Sequence, residues 1–247
     1  MINSISIEKA KLYEKYRLPY ATEAVNSLLE RIGKVEVVAD IGAGTGQLAR
    51  LFAERCTKIY LVEPDPAMRQ VASAALGNFS KIEIRPGLAE HTTLAANSID
   101  LIVVGNAFHR FKPEACTELR HILKHQGWIA LFAYTFTNST FTNLLFSKLS
   151  NLKSVSNRIE KSWHRTPVED LFGQGQIYTL SFPQSHTESW TAFFGAACAG
   201  LEAPAREDQD FAQFEAINRE VFNSFAVDGK IQIEYETQIS FGQPLVQ

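Results

Sequence analysis

Cysteine is scarce in this chain: three in 247 residues, at Cys56, Cys116 and Cys198, far apart. No CxxC pair and no zinc spacing occurs. A thiolate metal cluster and a disulfide framework are therefore excluded, and the three thiols read as reduced packing residues. Long apolar runs are also missing, since none approaches the ~20 residues that a membrane helix needs. The opening "MINSISIEKAKLYEKYR" has no apolar signal core, which leads to the expectation of a cytoplasmic protein. Basic excess is absent too. Lys and Arg total 24 against 27 Asp and Glu, a net charge of −3. That balance offers no general attraction to a phosphate backbone, so neither nucleic acid nor a membrane is an expected partner. His121 and His125 lie four apart in "RHILKHQG", a spacing that can hold a metal on a helix, but no third ligand accompanies them. They read as a solvated face, and no metal is expected. Repeats and low-complexity segments are lacking as well, so the architecture must be read from periodicity.

What is present is a regular alternation. "PYATEAVNSLLERIG" places Ala21, Ala24, Val25, Leu28 and Ile32 on one helical face, with Pro19 before it and Gly33 after it. Strands are expected at "VEVVADI", "KIYLVE", "KIEIRP", "SIDLIVVGNAF" and "WIALFAY". Helices are expected between them at "GQLARLFAER", "DPAMRQVASAAL" and "KPEACTELRHILKHQG". The nearly continuous apolar run at "SIDLIVVGNAF" marks a strand buried on both faces. Short strands alternating with helices imply an α/β, doubly wound, Rossmann-like sheet. After residue 135 the rhythm changes. "QIYTLSFPQ" reads as a strand, "TESWTAFFGAACAG" and "DFAQFEAINREVFNSF" as helices, and "KIQIEYETQISFG" as a long alternating strand. The expected organisation is a core over 1–135, a helical cap with a late strand over 136–230, and a final strand over 231–247. The sheet is then seven-stranded and mostly parallel, with its last strand antiparallel. The late aromatics, among them Phe136, Phe141, Phe146, Trp163, Phe172, Trp190, Phe193 and Phe194, read chiefly as core.

The chemistry concentrates in "VVADIGAGTGQLAR". A strand, a glycine turn and a helix form a nucleotide-type site, because glycines let a ligand approach the backbone. Gly44-Thr-Gly46-Gln-Leu-Ala49 fits the dinucleotide pattern G-x-G-x-x-A, and Glu63 follows Gly44 by 19 residues, near the ~20 of a ribose-binding acid. An NAD(P)-dependent oxidoreductase is thus one reading. Asp40 opposes it, since a carboxylate beside two phosphates is unfavourable. Asp40-x-Gly42-x-Gly44-x-Gly46 suits a ligand with positive charge and no phosphate, such as S-adenosylmethionine with its sulfonium and ammonium groups.

On these residues the chain resembles the class I S-adenosylmethionine-dependent methyltransferases, in their small-molecule, type 11-like branch. The resemblance extends to "LVEPDPAMR". It implies that Glu63 holds both ribose hydroxyls, with Pro64 following and Met68 packing on the adenine. "RPGLAEHTTL" is similar to the family's G-D-A-E-x-L-P stretch, which implies that Ala89 and Glu90 lie at the adenine edge. Leu88 stands where an acid commonly meets the adenine amino group. "SIDLIVVGNAFHRF" resembles F-D-L-V-x-x-x-x-A-L-H-W-F, implying that Asn106 lies under the methionine end and His109 at the mouth of the methyl tunnel. "YEKYRLPY" looks like Y-x-x-x-R-P-x-Y, with Leu18 in place of the usual proline. Tyr13 then closes over the cofactor, and Arg17 pairs the methionine carboxylate.

The resemblance implies a methyltransferase that moves a methyl group from S-adenosylmethionine to a small-molecule acceptor by in-line displacement, with His109 as candidate base. A non-catalytic member that only binds the cofactor stays open beside it, as does a monomeric or homodimeric state.

Overall fold

The structure is a computed structural model that describes residues 5–245. A seven-stranded sheet in the order β3-β2-β1-β4-β5-β7-β6 organises the chain. The strands are β1 (Val37–Ile41), β2 (Lys58–Val62), β3 (Ile82–Arg85), β4 (Ile99–Gly105), β5 (Leu123–Phe136), β6 (Ile177–Ser189) and β7 (Lys230–Gly242). β1 to β5 pair in parallel, and β7 runs antiparallel to both β5 and β6. Successive strand residues face opposite sides of the sheet. Val38, Leu101 and Val103 therefore pack with Leu28 of α2 (Thr22–Ile32) and Phe52 of α3 (Gln47–Phe52). Ala39, Ile41, Ile102 and Val104 pack on the other face with Leu119 and Ile122 of α5 (Glu114–Ile122). Both faces of β4 are covered, which is why its sequence is apolar almost throughout.

The expected helix beginning near Lys112 is shorter than its sequence pattern. It ends at Ile122, and Leu123 already pairs with Ile99 of β4. The register then jumps, so that Trp128 pairs with Leu101 and residues 124–127 bulge outward. Leu123 is buried, and Lys124 Nζ reaches Asp100 Oδ1 at 2.7 Å. Together these pull the chain off the helix axis and onto the strand. His125 consequently lies on β5 and shares no helix face with His121. β6 is also longer than expected and continues past Pro183 to Ser189. Proline cannot donate to a ladder, but β6 is the sheet edge, where a missing N–H costs nothing. β7 follows its alternation throughout, burying Ile231, Ile233, Tyr235, Thr237, Ile239 and Phe241.

The remaining helices sit above and beside the sheet. α1 (Ile7–Tyr16) packs on α4 (Pro66–Leu76) and on α9 (Trp190–Ala199). A Cβ on Gly195 of α9 would strike the Tyr16 ring, so glycine sets that close approach. α6 (Ser139–Leu149), α7 (Lys153–Ser162), α8 (Val168–Phe172) and α10 (Phe211–Phe225) complete the chain. No described helix is long and apolar enough to cross a membrane.

Candidate functional site

In a doubly wound sheet the connections from neighbouring strands diverge at the switch point, leaving a crevice at the carboxyl ends of those strands. Here that point lies between β1 and β4. Asp40, one residue from the end of β1, is fully buried there. Its Oδ2 accepts the Ala49 N–H of α3 at 3.0 Å. Its Oδ1 is buried with no hydrogen-bond partner among the described residues. Burial raises the carboxyl to about 7, against the pull of the Ala49 hydrogen bond and with the help of the nearby Glu63 charge. The Asp40 carboxylate thus occupies the first turn of α3, the place a pyrophosphate takes in a dinucleotide site.

Glu63 follows the last residue of β2 and is buried. Its Oε2 accepts the Gly44 N–H at 2.8 Å, and its Oε1 accepts the Asp65 N–H at 2.9 Å. Burial raises its pKa, and these two backbone bonds oppose the rise. Each oxygen keeps a further lone pair. Asp65, not Glu63, caps α4: its Oδ1 accepts the N–H groups of Ala67 and Met68.

The three glycines divide their tasks. All have positive φ, at +68° for Gly42, +58° for Gly44 and +83° for Gly46. A Cβ on Gly46 would run into Leu61 and Leu76, so this glycine serves helix–strand packing. A Cβ on Gly44 would meet only the Tyr13 ring, at 3.6 Å. Gly44 is the one whose bare backbone turns toward the crevice.

A narrow cleft opens at this point, lined by Tyr13, Tyr20, Asp40, Ala43, Gln47, Leu48 and Gly105. Asn106, just beyond β4, holds φ +50°, a backbone conformation that asparagine tolerates. Its Nδ2 donates to the Tyr20 hydroxyl at 3.0 Å. The structure thus brings Tyr13, Asp40, Gly44, Glu63 and Asn106 to one end of the sheet. Tyr20 and Gln47 were not singled out from the sequence, although Tyr20 closes the same "YEKYRLPY" segment that supplies Tyr13 and Arg17.

Other candidates stand further off. Arg17 ends α1 with its guanidinium between the Tyr13 and Tyr134 rings, at 5.0 and 4.9 Å. No ion pair joins it among the described residues, while its neighbour Glu14 pairs with Arg50 at 2.7 Å. Met68 is buried with Ala10 and next to Tyr13. Pro64 is half-buried, and its carbonyl accepts from Arg69. Ala89 packs in the core cluster of Val62 and Leu94. Glu90 Oε1 accepts the Lys112 N–H at 2.8 Å. His109 sits in a 3-10 turn with its ring 4.6 Å from that of Trp163. Burial first, then the charge of Arg110, lowers its pKa to about 4. It is not among the residues lining the cleft.

Comparison with known proteins agrees with this geometry. A family described as "Methyltransferase domain" matches residues 39–131, the segment from β1 to β5 that holds Asp40, the glycines and Glu63. An uncharacterized methyltransferase of Mycobacterium tuberculosis is 35% identical over 120 residues, 48% of this chain and 47% of that protein. The chain spans about half the length of this relative. An uncharacterized methyltransferase of Anoxybacillus flavithermus is 30% identical over 173 residues, covering 67% of this chain and 79% of that protein. The chain belongs to the methyltransferase domain family. Its fold is similar to that of the YcgJ protein from Bacillus subtilis, with a TM-score of 0.58 at 18% identity, covering 92% of this chain and all of that one.

Proposed function

We propose that the protein is an S-adenosylmethionine-dependent methyltransferase acting on a small-molecule acceptor. The observation that carries this reading is Asp40, a buried carboxylate at the switch point with one oxygen unpartnered. Neither Asp40 nor Glu63 has a Lys or Arg ion pair among the described residues. Negative capacity of that kind fits a cationic nucleoside and opposes a pyrophosphate. S-adenosylmethionine, when bound, supplies an electrophilic methyl group. Asp40 and the Gly42–Gly46 loop would face its charged end, and the remaining lone pairs of Glu63 its ribose hydroxyls. Pro64, Met68, Ala89 and Glu90 would border the adenine side, and Asn106 the methionine end. Tyr13 and Arg17 would close the site from α1. The protein's own contribution is alignment and exclusion of water, which can supply ~7–11 kcal/mol. His109, lowered to about 4 by burial and then by Arg110, stays neutral but is a weak base at pH 7, so its role at the site would be to orient the acceptor. Residues 1–135 carry the cofactor side, and the helices of 136–230 form the acceptor side.

Thermal unfolding with S-adenosylmethionine, S-adenosylhomocysteine and NADH tests this reading. A ligand at a hundredfold its Kd adds ~2.7 kcal/mol. The expected result is a raised midpoint with the adenosyl ligands, abolished by Asp40→Ala and by Glu63→Ala. A rise with NADH alone would return the site to a dinucleotide. Adenosyl binding with no methylated product across an acceptor screen would mark a non-catalytic member.

A further inference from the structure

A second cavity of about 130 Å³ is lined by residues of the late helices and of β5, β6 and β7, with Arg17 and Tyr134 among them. Its walls are apolar and largely aromatic, with Phe136 from β5, Phe141 and Leu145 from α6, Phe193 from α9 and Ile233 from β7. Three polar side chains break that lining, and each carries a buried atom with no hydrogen-bond partner among the described residues: Glu188 Oε2, Asn218 Oδ1 and Arg17 Nε. Glu188, at the end of β6, is 3% exposed, and Asn218, in the middle of α10, is fully buried. The Asn218 amide nitrogen donates to the Phe214 carbonyl of its own helix at 2.8 Å, which leaves its oxygen as the free atom. His186 Nε2 lies 3.8 Å from Glu188 Oε1, the other carboxylate oxygen.

Buried polar atoms are nearly always paired, so each exception calls for a reason. Two acceptors set in an aromatic slot are complementary to a donor on a small apolar body. Arg17 also lines the cavity, but its guanidinium stacks between the Tyr13 and Tyr134 rings and forms no ion pair with Glu188, so the carboxylate is the group left to favour a donor with positive charge. The cavity also borders the proposed cofactor site, because Arg17 lines it while stacking on Tyr13, a residue of the cleft. We infer that this cavity binds the methyl acceptor, and that the acceptor is a small amine with an aromatic-sized apolar body whose nitrogen is received by Glu188 Oε2 and Asn218 Oδ1. The role as acceptor rests on the proposed methyltransferase reading, whereas the binding of an amine does not.

Calorimetric titration of the full chain with 2-phenylethylamine, 2-phenylethanol and 3-phenylpropanoate separates donor cation, neutral alcohol and anion on one ring scaffold. S-adenosylhomocysteine binding is measured in parallel on every variant and reports an intact fold. The expected result is amine binding at least tenfold tighter than that of either analogue. Glu188→Gln should weaken it tenfold or more, and Asn218→Ala several-fold, with S-adenosylhomocysteine binding unchanged. Ala196→Leu, which fills the slot without touching its polar groups, should abolish it. Tighter binding of the anion or the alcohol, or amine binding indifferent to Glu188→Gln and Ala196→Leu, overturns the inference. Adenosyl binding without amine binding removes the amine pocket and leaves the methyltransferase reading standing. Amine binding with this pattern but no adenosyl binding removes that reading and leaves the pocket.

Discussion

The two ends of the sheet hold their buried carboxylates differently, although Asp40 Oδ1 at one end and Glu188 Oε2 at the other both lack a hydrogen-bond partner among the described residues. At the β1–β2 end, carboxylates are wired to backbone. Asp40 holds the Ala49 N–H, Glu63 holds those of Gly44 and Asp65, and Asp65 holds those of Ala67, Met68 and Ile5. At the β7–β6 end, Glu188 and Asn218 are set among aromatic rings with acceptor atoms left over. A site built from backbone and loop shape cannot be altered without altering the fold that carries it. A site built from side chains on an edge strand and a cap helix can change its polar groups while the sheet stays intact. On the proposed function, the chain would join a fixed cofactor end to an adjustable acceptor end, and the contrast can be attacked from either side.

The largest effect is expected at Gly46. Alanine there meets Leu61 and Leu76 and must also hold φ +83°. Overpacking and left-handed strain together should cost about 3 kcal/mol, read as a lowered denaturant midpoint. Gly229→Ala is the control, with φ +73° in the tight turn between Val227 and Lys230 and open space around the added methyl. It should lose only the strain, about 1 kcal/mol. Equal losses at the two positions would show that packing of α3 on the sheet plays no part. Next comes Asp40→Asn, which keeps an acceptor for the Ala49 N–H and removes the charge. Charge-assisted bonds contribute ~1.5–3 kcal/mol, so S-adenosylmethionine should bind about ten- to a hundredfold more weakly. Unfolding without ligand at pH 7 should change far less.

The same contrast explains what could be read from the chain alone. Asp40, Gly44, Gly46 and Glu63 were legible because a loop that bares its backbone demands particular residue types at fixed spacing. β7 was legible because one of its faces is buried and its alternation is unbroken from Ile231 to Phe241. The end of α5 was not, because the competing pull comes from Asp100, more than twenty residues back in sequence. The far end of β6 was not legible either, because a strand that continues past Pro183 to Ser189 is tolerated at the sheet edge, a position the sequence does not display. Glu188 and Asn218 carry no local signature at all. Each is an ordinary polar residue until tertiary packing sets it beside Phe136, Phe141 and Phe193, aromatics that had read simply as core.

Glu188 gives the contrast a pH signature. Burial raises its carboxyl from 4.5 to about 7. A carboxyl raised in the folded state favours folding below its unfolded pKa, and the advantage is lost as pH rises through 7. Glu188→Gln should therefore be more stable than the wild type at pH 8, by about 1–2 kcal/mol, and near parity at pH 4.5. Thermal midpoints of the two proteins across that interval measure the difference. A flat difference would mean that Glu188 finds a partner for its charge, and the two ends of the sheet would then be alike.

The smallest effect over the neutral range is expected at His109. A histidine poised as a base near 6.5 imposes a loss of rate as pH falls through that value. His109 is instead lowered to about 4, by burial and then by Arg110, with its ring against Trp163. It stays neutral from pH 8 down to pH 5, so the ratio of wild-type to His109→Gln turnover should be constant across that interval. Titration of Asp40 and Glu188 near 7 acts on both proteins equally and cancels in the ratio. A ratio that falls with an apparent pKa near 6.5 would show that the imidazole leaves Trp163 for a wetter place once the substrates are bound. The residue would then belong to the adjustable end of the molecule, moving with the cap and not fixed with the sheet.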